Sequence, residues 1–143
     1  MKYALVTTTI NVPKLLKDYA EDFRKNKHKV ACYIVADKKT PDEAKNFCLQ
    51  LGHEYEDSIV MNYYDVFEQD SFMKRYSELD GHIPWNCIQR RNFGFLLAYK
   101  LGAKIVASVD DDNIPYQSWG KKILLSKKNR INLFKSELPA FDP

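Results

Sequence analysis

The sequence predicts an α/β protein built on a mostly parallel sheet in the strand order 3-2-1-4, with helices on both faces. Short apolar, β-branched runs suited to strands occur at Tyr3–Thr9, at Val30–Ala36 and at residues 104 to 109. Between these runs, apolar residues recur with helical spacing. Because parallel strands need right-handed crossovers, which helices supply, this alternation indicates a single domain over residues 1–143.

The first helix is expected at residues 12 to 23, where apolar residues follow the spacing of one buried stripe. Asn11 can cap it, and Pro13 falls in its first turn, where a missing N–H is tolerated. The second helix begins at residues 40 to 43 (Thr-Pro-Asp-Glu), which have the spacing of a capping box, and Gly52 is expected to end it. The apolar residues 59 to 61 then predict the third strand.

Residues 63 to 84 mix aromatic and charged side chains, and we expect a short helix at 70 to 79 followed by a turn at Gly81. The longest helical pattern covers residues 85 to 101, with Gly102 as its stop, and precedes the fourth strand. Gly94 within this helix costs about 1 kcal/mol relative to Ala. Its presence therefore predicts that the helix packs closely on a strand or on a ligand.

The strand order also predicts where a ligand binds. Open parallel sheets bind ligands at the carboxyl ends of strands, where neighbouring crossovers run to opposite faces. In the order 3-2-1-4 that crevice lies between strands 1 and 4. The residues expected there are Thr7, Thr8 and Thr9 from the first strand, and Asp110, Asp111 and Asp112 after the fourth.

Three consecutive carboxylates at the end of a strand repel one another unless a cation neutralises them. Carboxylate oxygens suit Mg²⁺ or Mn²⁺. If the extended conformation continues past the strand, Asp110 and Asp112 face one side and Asp111 the other. We predict a metal site at Asp110 and Asp112, with Asp112 as the direct ligand and Asp110 as a further metal or ribose contact. A solvated acidic turn is the alternative, which the preceding apolar strand makes less favoured.

Further candidate binding residues border the same crevice. Arg90, Arg91 and Asn92 lie in the first turns of the long helix, where guanidinium groups and the helix dipole suit a diphosphate. Asp37 and Lys39 follow the second strand, and a carboxylate there can accept hydrogen bonds from a ribose or a base. Exposed arginines and ordinary loop charges are the alternative interpretations.

Several classes of protein are excluded. Apolar residues make up 45% and charged residues 29% of the chain, which are globular values and not those of a disordered chain. The sequence has neither GxGxxG nor GxxxxGK, which argues against dinucleotide oxidoreductases and P-loop enzymes. No arrangement of Ser, Cys and His indicates a hydrolase nucleophile. The three cysteines have no metal-type spacing and are expected to be reduced.

The chain shows neither a signal peptide nor an apolar stretch long enough for a membrane span, so a soluble, cytoplasmic protein is expected. Its net charge is uneven: residues 1 to 120 hold 16 basic and 17 acidic side chains, a net of −1, whereas residues 121 to 143 hold 6 and 2, a net of +4. Because no aromatic stacking residues alternate with these basic residues, we favour a solvated surface over a nucleic-acid partner.

Four segments of the chain carry a family resemblance. They are residues 6–13 (VTTTINVP), 37–41 (DKKTP), 83–94 (IPWNCIQRRNFG) and 108–113 (SVDDDN). Together they resemble the GT-A class of nucleotide-sugar glycosyltransferases, and in particular proteins related to the plant reversibly glycosylated polypeptides, the UDP-arabinopyranose mutases. The resemblance covers residues 3 to 115, and the Asp-Asp-Asp stretch corresponds to the DxD motif of the family.

The resemblance implies a Rossmann-like GT-A sheet that binds a nucleotide-diphosphate sugar, UDP-linked, with Mn²⁺ or Mg²⁺. In such enzymes the DxD carboxylates and the metal bridge the diphosphate. Carried over to this chain, the residues from Thr7 to Thr9 and Asp37 would line the nucleoside pocket, and Arg90 and Arg91 would approach the phosphates. The implied activity is glycosyl transfer to an acceptor that the resemblance does not name.

The chain departs from the family after Asp112, since only 31 residues follow it and GT-A enzymes use a longer second half for the acceptor. Residues 1–115 are therefore interpreted as the nucleotide-sugar-binding half, and residues 116–143 as a short, incomplete acceptor-side segment. Only Glu137 and Asp142 could serve there as a carboxylate base, and neither lies in a recognisable motif. The alternatives are a non-catalytic sugar-nucleotide-binding or assembly module and a mutase-like protein. A nucleotidyltransferase is a weaker option, because this chain lacks the Gly-rich loop that follows the first strand in those enzymes.

Overall fold

A computed structural model of the chain describes residues 2–76 and 81–116. The strands are β1 (Tyr3–Thr9), β2 (Val30–Ala36), β3 (Ile59–Tyr64) and β4 (Ile105–Ser108). The helices are α1 (Leu16–Lys25), α2 (Glu43–Glu54), α3 (Val66–Met73) and α4 (Arg91–Lys100), and a 3₁₀ turn (Ile88–Arg90) leads directly into α4. The predicted acceptor-side segment lies outside the described residues, apart from Tyr116.

The four strands form one parallel sheet in the order β3-β2-β1-β4. In the register of the central strands, Tyr3 lies opposite Val30 on one side and Ile105 on the other. This confirms the predicted fold class and strand order. Because all the strands point the same way, the ends of β1, β2 and β4 share one edge of the sheet.

Each face of the sheet carries its own core, as the alternation of side chains along β1 requires. Leu5 and Ile34 pack with α1 and α2 on one face, whereas Val6 and Val35 pack with α3 and α4 on the other. The crossovers from β1 through β3 use the first face, and the chain reaches β4 from the second. The predicted switch point between β1 and β4 therefore exists, and it positions the crevice described below.

Gly94 lies where α4 crosses β1 and β2. A Cβ at this position would overlap Cγ1 of Val6 and lie 3.1 Å from Cγ2 of Val35. The close packing predicted from this glycine is thus packing against the sheet.

Several predicted helix boundaries are wrong, for local reasons. The helix expected at 70–79 is α3, which begins earlier because Asp65 accepts from the Glu68 N–H (2.8 Å) while Glu68 accepts from the Asp65 N–H (3.0 Å). Helix α4 covers only the second part of the pattern expected at 85–101. Helix α1 begins at Leu16 without a side-chain cap, so Asn11 does not cap it.

Helix α2 also differs from its prediction at both ends. The hydroxyl of Thr40 donates to the Thr9 carbonyl (2.5 Å) and accepts from the Asp37 N–H (2.7 Å), so it forms no capping box. Gly52 does not end the helix, because α2 continues to Glu54. A Cβ at Gly52 would lie 2.9 Å from the Cβ of Met61, so this glycine instead allows α2 to approach β3.

All three cysteines are free thiols, as predicted. Burial raises the pKa of Cys32 and Cys48 to about 12 each. Within residues 2–76 and 81–116, no helix combines the length and the apolar character that crossing a membrane requires.

Candidate functional site

An open cavity of about 390 Å³ lies at the carboxyl ends of β1, β2 and β4. The end of β1, the segments that follow β1, β2 and β4, and the residues just before and at the start of α4 contribute to its walls. They are Thr8, Thr9, Ile10, Asp37, Lys39, Asn86, Cys87, Ile88, Arg91, Asp110, Asp111 and Asp112. The crevice expected from the strand order is therefore present in the folded chain.

The structure brings most of the predicted site residues together in this cavity. Those that line it are Thr8, Thr9, Asp37, Lys39, Arg91, Asp110, Asp111 and Asp112. Three others do not line it: Thr7 is fully buried within β1, Arg90 is buried beneath the cavity wall, and Asn92 is exposed on α4.

The acidic segment after β4 folds into a turn. The N–H of Asn113 donates to the Asp110 carbonyl (3.2 Å), and the Asn113 side chain accepts from the Asp110 N–H (3.0 Å). Because this turn ends the extended conformation, the strand alternation expected for the three carboxylates does not apply. Asp111 lines the same cavity as its neighbours, and its carboxylate accepts a 2.6 Å hydrogen bond from the hydroxyl of Thr9.

Arg91 joins the first turn of α4 to the end of β4. Its guanidinium donates to the Ser108 hydroxyl (3.1 Å) and forms an ion pair with the Asp110 carboxylate. The Arg91 side chain is 13% exposed, and its buried Nε has no hydrogen-bond partner among the described residues. The cavity therefore holds a guanidinium that is already fixed in position and whose charge is shared with Asp110.

Arg90 was expected to approach the phosphates of a ligand, but its side chain is buried and binds to other parts of the protein. Its Nε donates to the Gln69 side chain (2.7 Å), its Nη1 donates to the Ile83 carbonyl (2.7 Å), and its guanidinium stacks 3.3 Å from the ring centre of Trp85. Burial lowers the pKa of Arg90, although Asp70 and Asp37 oppose this change. Arg90 thus clamps the segment before α4 onto the fold.

Gln69 completes this clamp and was not predicted. It is fully buried, and its amide donates to the Ala36 carbonyl (2.8 Å) and to the Tyr64 carbonyl (2.9 Å) at the ends of β2 and β3. No local motif identifies it, because its partner Arg90 is 21 residues away in the sequence.

Asp37 organises the β2 side of the cavity. It is 5% exposed; one carboxylate oxygen accepts from the Lys38 N–H (2.7 Å) and the other from the Asn86 N–H (2.8 Å). Asn86, Cys87 and Ile88 consequently form a wall that the sequence did not point to.

A second cavity, of about 570 Å³, adjoins the first at Asp112. Its walls are more aromatic, since Tyr19 and Tyr116 contribute with Ile114. Burial, with smaller contributions from Asp110 and Asp18, raises the pKa of Tyr19, whose hydroxyl donates to the Asn113 carbonyl (3.1 Å). This bond fixes the end of the acidic turn against α1.

The carboxylates of the cavity suit a cation that the protein binds together with a ligand better than a cation that the protein binds alone. Among the described residues, no group of three His, Cys, Asp or Glu side chains could hold a metal ion. Arg91 neutralises Asp110 and Thr9 binds Asp111, whereas no cationic side chain in the described ranges pairs with Asp112. Mg²⁺ commonly binds through one or two carboxylates together with substrate phosphates and water. Asp112, with Asp110 beside it, can provide the protein part of such a site.

Comparisons with known proteins add no family to this description. No family model matches the chain, and no curated protein matches it.

Proposed function

We propose that the chain is a metal-dependent glycosyltransferase domain, which binds a nucleotide-diphosphate sugar, UDP-linked, and transfers its glycosyl group to an acceptor. The observation that carries this proposal is the cavity at the sheet switch point, where Lys39 and Arg91 share one space with Asp110, Asp111 and Asp112. Cationic side chains can bind the oxygens of a diphosphate, and carboxylates can bind the Mg²⁺ or Mn²⁺ that accompanies it.

In this proposal the diphosphate binds at the β4 side of the cavity. Arg91 offers a guanidinium at the start of α4, and guanidinium groups bind phosphate oxygens through paired N–H donors. Lys39 supplies a second positive charge from the loop after β2. When bound, the cation at Asp112 and Asp110 supplies further positive charge against the departing diphosphate.

In this proposal the nucleoside binds at the β2 side. Thr8 and Thr9 form the floor between the two ends, and Asp37 holds the wall there. Transfer then requires the sugar to face away from the nucleoside, across the acidic turn. As the bond to the departing diphosphate breaks, the held guanidinium of Arg91 and the exposed ammonium of Lys39 stabilise the charge that develops on it.

Calorimetric titration of UDP with and without Mn²⁺ tests the proposal. We expect heat that depends on Mn²⁺ in the wild-type protein, and loss of that dependence in Asp112→Asn. Asp42→Asn is the matched control, because Asp42 is exposed, makes no side-chain cap bond and does not line the cavity. Absence of any metal-dependent heat in the wild-type protein would refute the proposal.

A second candidate function is a sugar-nucleotide-binding module without transfer activity. It is favoured by the state of the cavity carboxylates: Asp37, Asp110 and Asp111 each accept hydrogen bonds from the protein itself. Asp112 accepts only a long hydrogen bond from the Asn113 amide (3.4 Å) among the described residues, so it is the least engaged of the four, and we place it at the cation. Incubation with labelled UDP-sugars separates the two functions, since hydrolysis or transfer by the chain would exclude the module.

A further inference from the structure

The cavity wall contains an unusual backbone conformation at Asn86. Its φ is 56°, in the left-handed region, which among non-glycine residues Asn adopts most readily. Within residues 2–76 and 81–116, Lys27 is the other non-glycine residue with a positive φ, also 56°. Lys27 precedes β2 and lies at the opposite edge of the sheet from the cavity.

Asp37 holds Asn86 in this conformation. The 2.8 Å bond from the Asn86 N–H to the buried Asp37 carboxylate joins the left-handed residue to the end of β2. Left-handed residues that surrounding structure holds in place are concentrated at ligand-binding sites. In this case the conformation places Asn86 on the cavity wall.

The side chain of Asn86 is available to a ligand. It is exposed, and no hydrogen bond involves its amide within the described ranges. An amide presents a donor and an acceptor side by side, and it can therefore pair with a group that offers an acceptor beside a donor. The edge of a nucleobase offers such a pair of groups.

Asn86 also lies where the base of a nucleotide bound through its phosphates would reach. Asp37 and Asn86 mark the end of β2, whereas Arg91 and Asp110 mark the end of β4, and β1 lies between these strands. Adjacent strands are about 4.8 Å apart, so the two ends of the cavity are separated by about 10 Å. A nucleotide whose phosphates reach Arg91 can thus extend its base toward Asn86.

We infer that Asn86 is a specificity-determining residue, whose side-chain amide pairs with the hydrogen-bonding edge of the nucleobase. This inference rests on the proposed function, and it adds the group that recognises the base.

The variant Asn86→Gly tests the inference, because glycine adopts a positive φ freely and removes only the side chain. Three probes are titrated in the presence of Mn²⁺: UDP, inorganic pyrophosphate and ribose 5-phosphate. For Asn86→Gly we expect UDP to bind about tenfold more weakly, the change expected for loss of two neutral hydrogen bonds, and the other two probes to bind within about twofold of wild type.

Each other result has a definite meaning. Unchanged UDP affinity in Asn86→Gly overturns the inference and leaves the proposed function standing. Equal weakening of UDP and ribose 5-phosphate also overturns it, since the contact would then be to the ribose. If UDP does not bind the wild-type protein, the proposed function fails, and the inference fails with it.

Lys27→Gly is the matched control, because it relieves the same backbone conformation outside the cavity. We expect it to leave the affinity of all three probes unchanged. A thermal unfolding midpoint of Asn86→Gly no lower than that of wild type establishes that the variant is folded.

Discussion

The guanidinium of Arg91 forms an ion pair with the carboxylate of Asp110 at the β4 end of the cavity. The two residues are 19 positions apart, and the pair closes only because α4 and β4 meet at the same edge of the sheet. A phosphate that approaches Arg91 therefore competes with Asp110. A cation that approaches Asp110 competes with Arg91.

The variant Asp110→Asn should bind pyrophosphate more tightly than wild type in the absence of metal, by about twofold to fivefold. The neutral amide no longer competes for Arg91, and a charge pair of which one partner is half exposed contributes up to about 1 kcal/mol. Calorimetry in the presence of a chelator measures the effect. Asp57→Asn, which removes the Arg24–Asp57 pair outside the cavity, should change nothing; weaker binding by Asp110→Asn would contradict the competition.

Gly94→Ala should lower the free energy of unfolding by about 2 kcal/mol, because overpacking at Val6 and Val35 outweighs the better helix propensity of alanine. Urea denaturation measures the change. In the double variant with Val6→Ala, the loss should be smaller than the sum of the two single losses. Gly102→Ala is the comparison: its φ of 80° disfavours alanine for a backbone reason that Val6→Ala cannot relieve.

Arg90→Lys should cost about 2 kcal/mol of unfolding free energy. A lysine cannot donate to Gln69 and Ile83 while stacking on Trp85, so buried polar atoms lose their partners. Lys38→Ala serves as the control, since Lys38 also lies over Trp85 but is exposed, and it should cost less than about 0.5 kcal/mol. Equal losses in urea denaturation would show that the clamp does not stabilise the fold.

Asp65 should make the stability of the protein depend on pH in acid. Burial alone would raise the pKa of Asp65, but hydrogen bonds from Lys45 and the Glu68 N–H, with the charge of Lys45, lower it below its ordinary value. A lowered carboxyl pKa gives stability that is complete above the unfolded pKa of about 3.9 and is lost as pH falls through the folded value.

The variant Asp65→Asn isolates this charge, since an amide oxygen can still cap α3. We expect it to lower the free energy of unfolding at pH 7 by about 0.5 kcal/mol, and the difference from wild type to vanish as the pH falls through the folded pKa of Asp65. Urea denaturation at a series of pH values measures both. A difference that stays constant into acid would show that the ionised form of Asp65 is not what stabilises the fold.

Cys87 should be the fast-reacting thiol of the folded protein. Cys32 and Cys48 are buried with pKa values of about 12, so they stay protonated at pH 8, whereas Cys87 is partly exposed on the cavity wall. An aromatic disulfide reagent should label one thiol quickly, and UDP with Mn²⁺ should slow that reaction. Cys87→Ser should remove the fast phase; a rate unaffected by nucleotide would place UDP elsewhere.

The bounds of the two central strands could be predicted to the residue. Strand β2 is an uninterrupted apolar run covered on both faces, and β1 continues its apolar residues into β-branched threonines, which also favour strands. The strand order, and with it the meeting of the ends of β1 and β4 at one crevice, followed from general rules of parallel sheets, whereas the bond of Thr9 to Asp111 did not. Gly94 also allowed the close packing of α4 on the sheet to be predicted, since a glycine destabilises a helix unless a larger side chain would clash.

The parts that could not be predicted depend on contacts between distant residues. The role of Arg90 is set by Gln69, which no spacing rule connects to it. The position of Asn86 depends on a bond to Asp37, 49 residues earlier in the chain. Helix α3 was misplaced for a different reason: its capping box at Asp65 and Glu68 lies among aromatic residues that obscure the helical pattern.

Thr9, the last residue of β1, braces the loops on both of its sides. Its carbonyl accepts from Thr40 after β2, and its hydroxyl donates to Asp111 after β4. The loops after β2 and β4 are therefore held in position before a ligand binds, and little of the binding free energy is lost in ordering them. Rigid loops favour association without a slow conformational step. Differences in affinity between related ligands should therefore arise mainly from their dissociation rates.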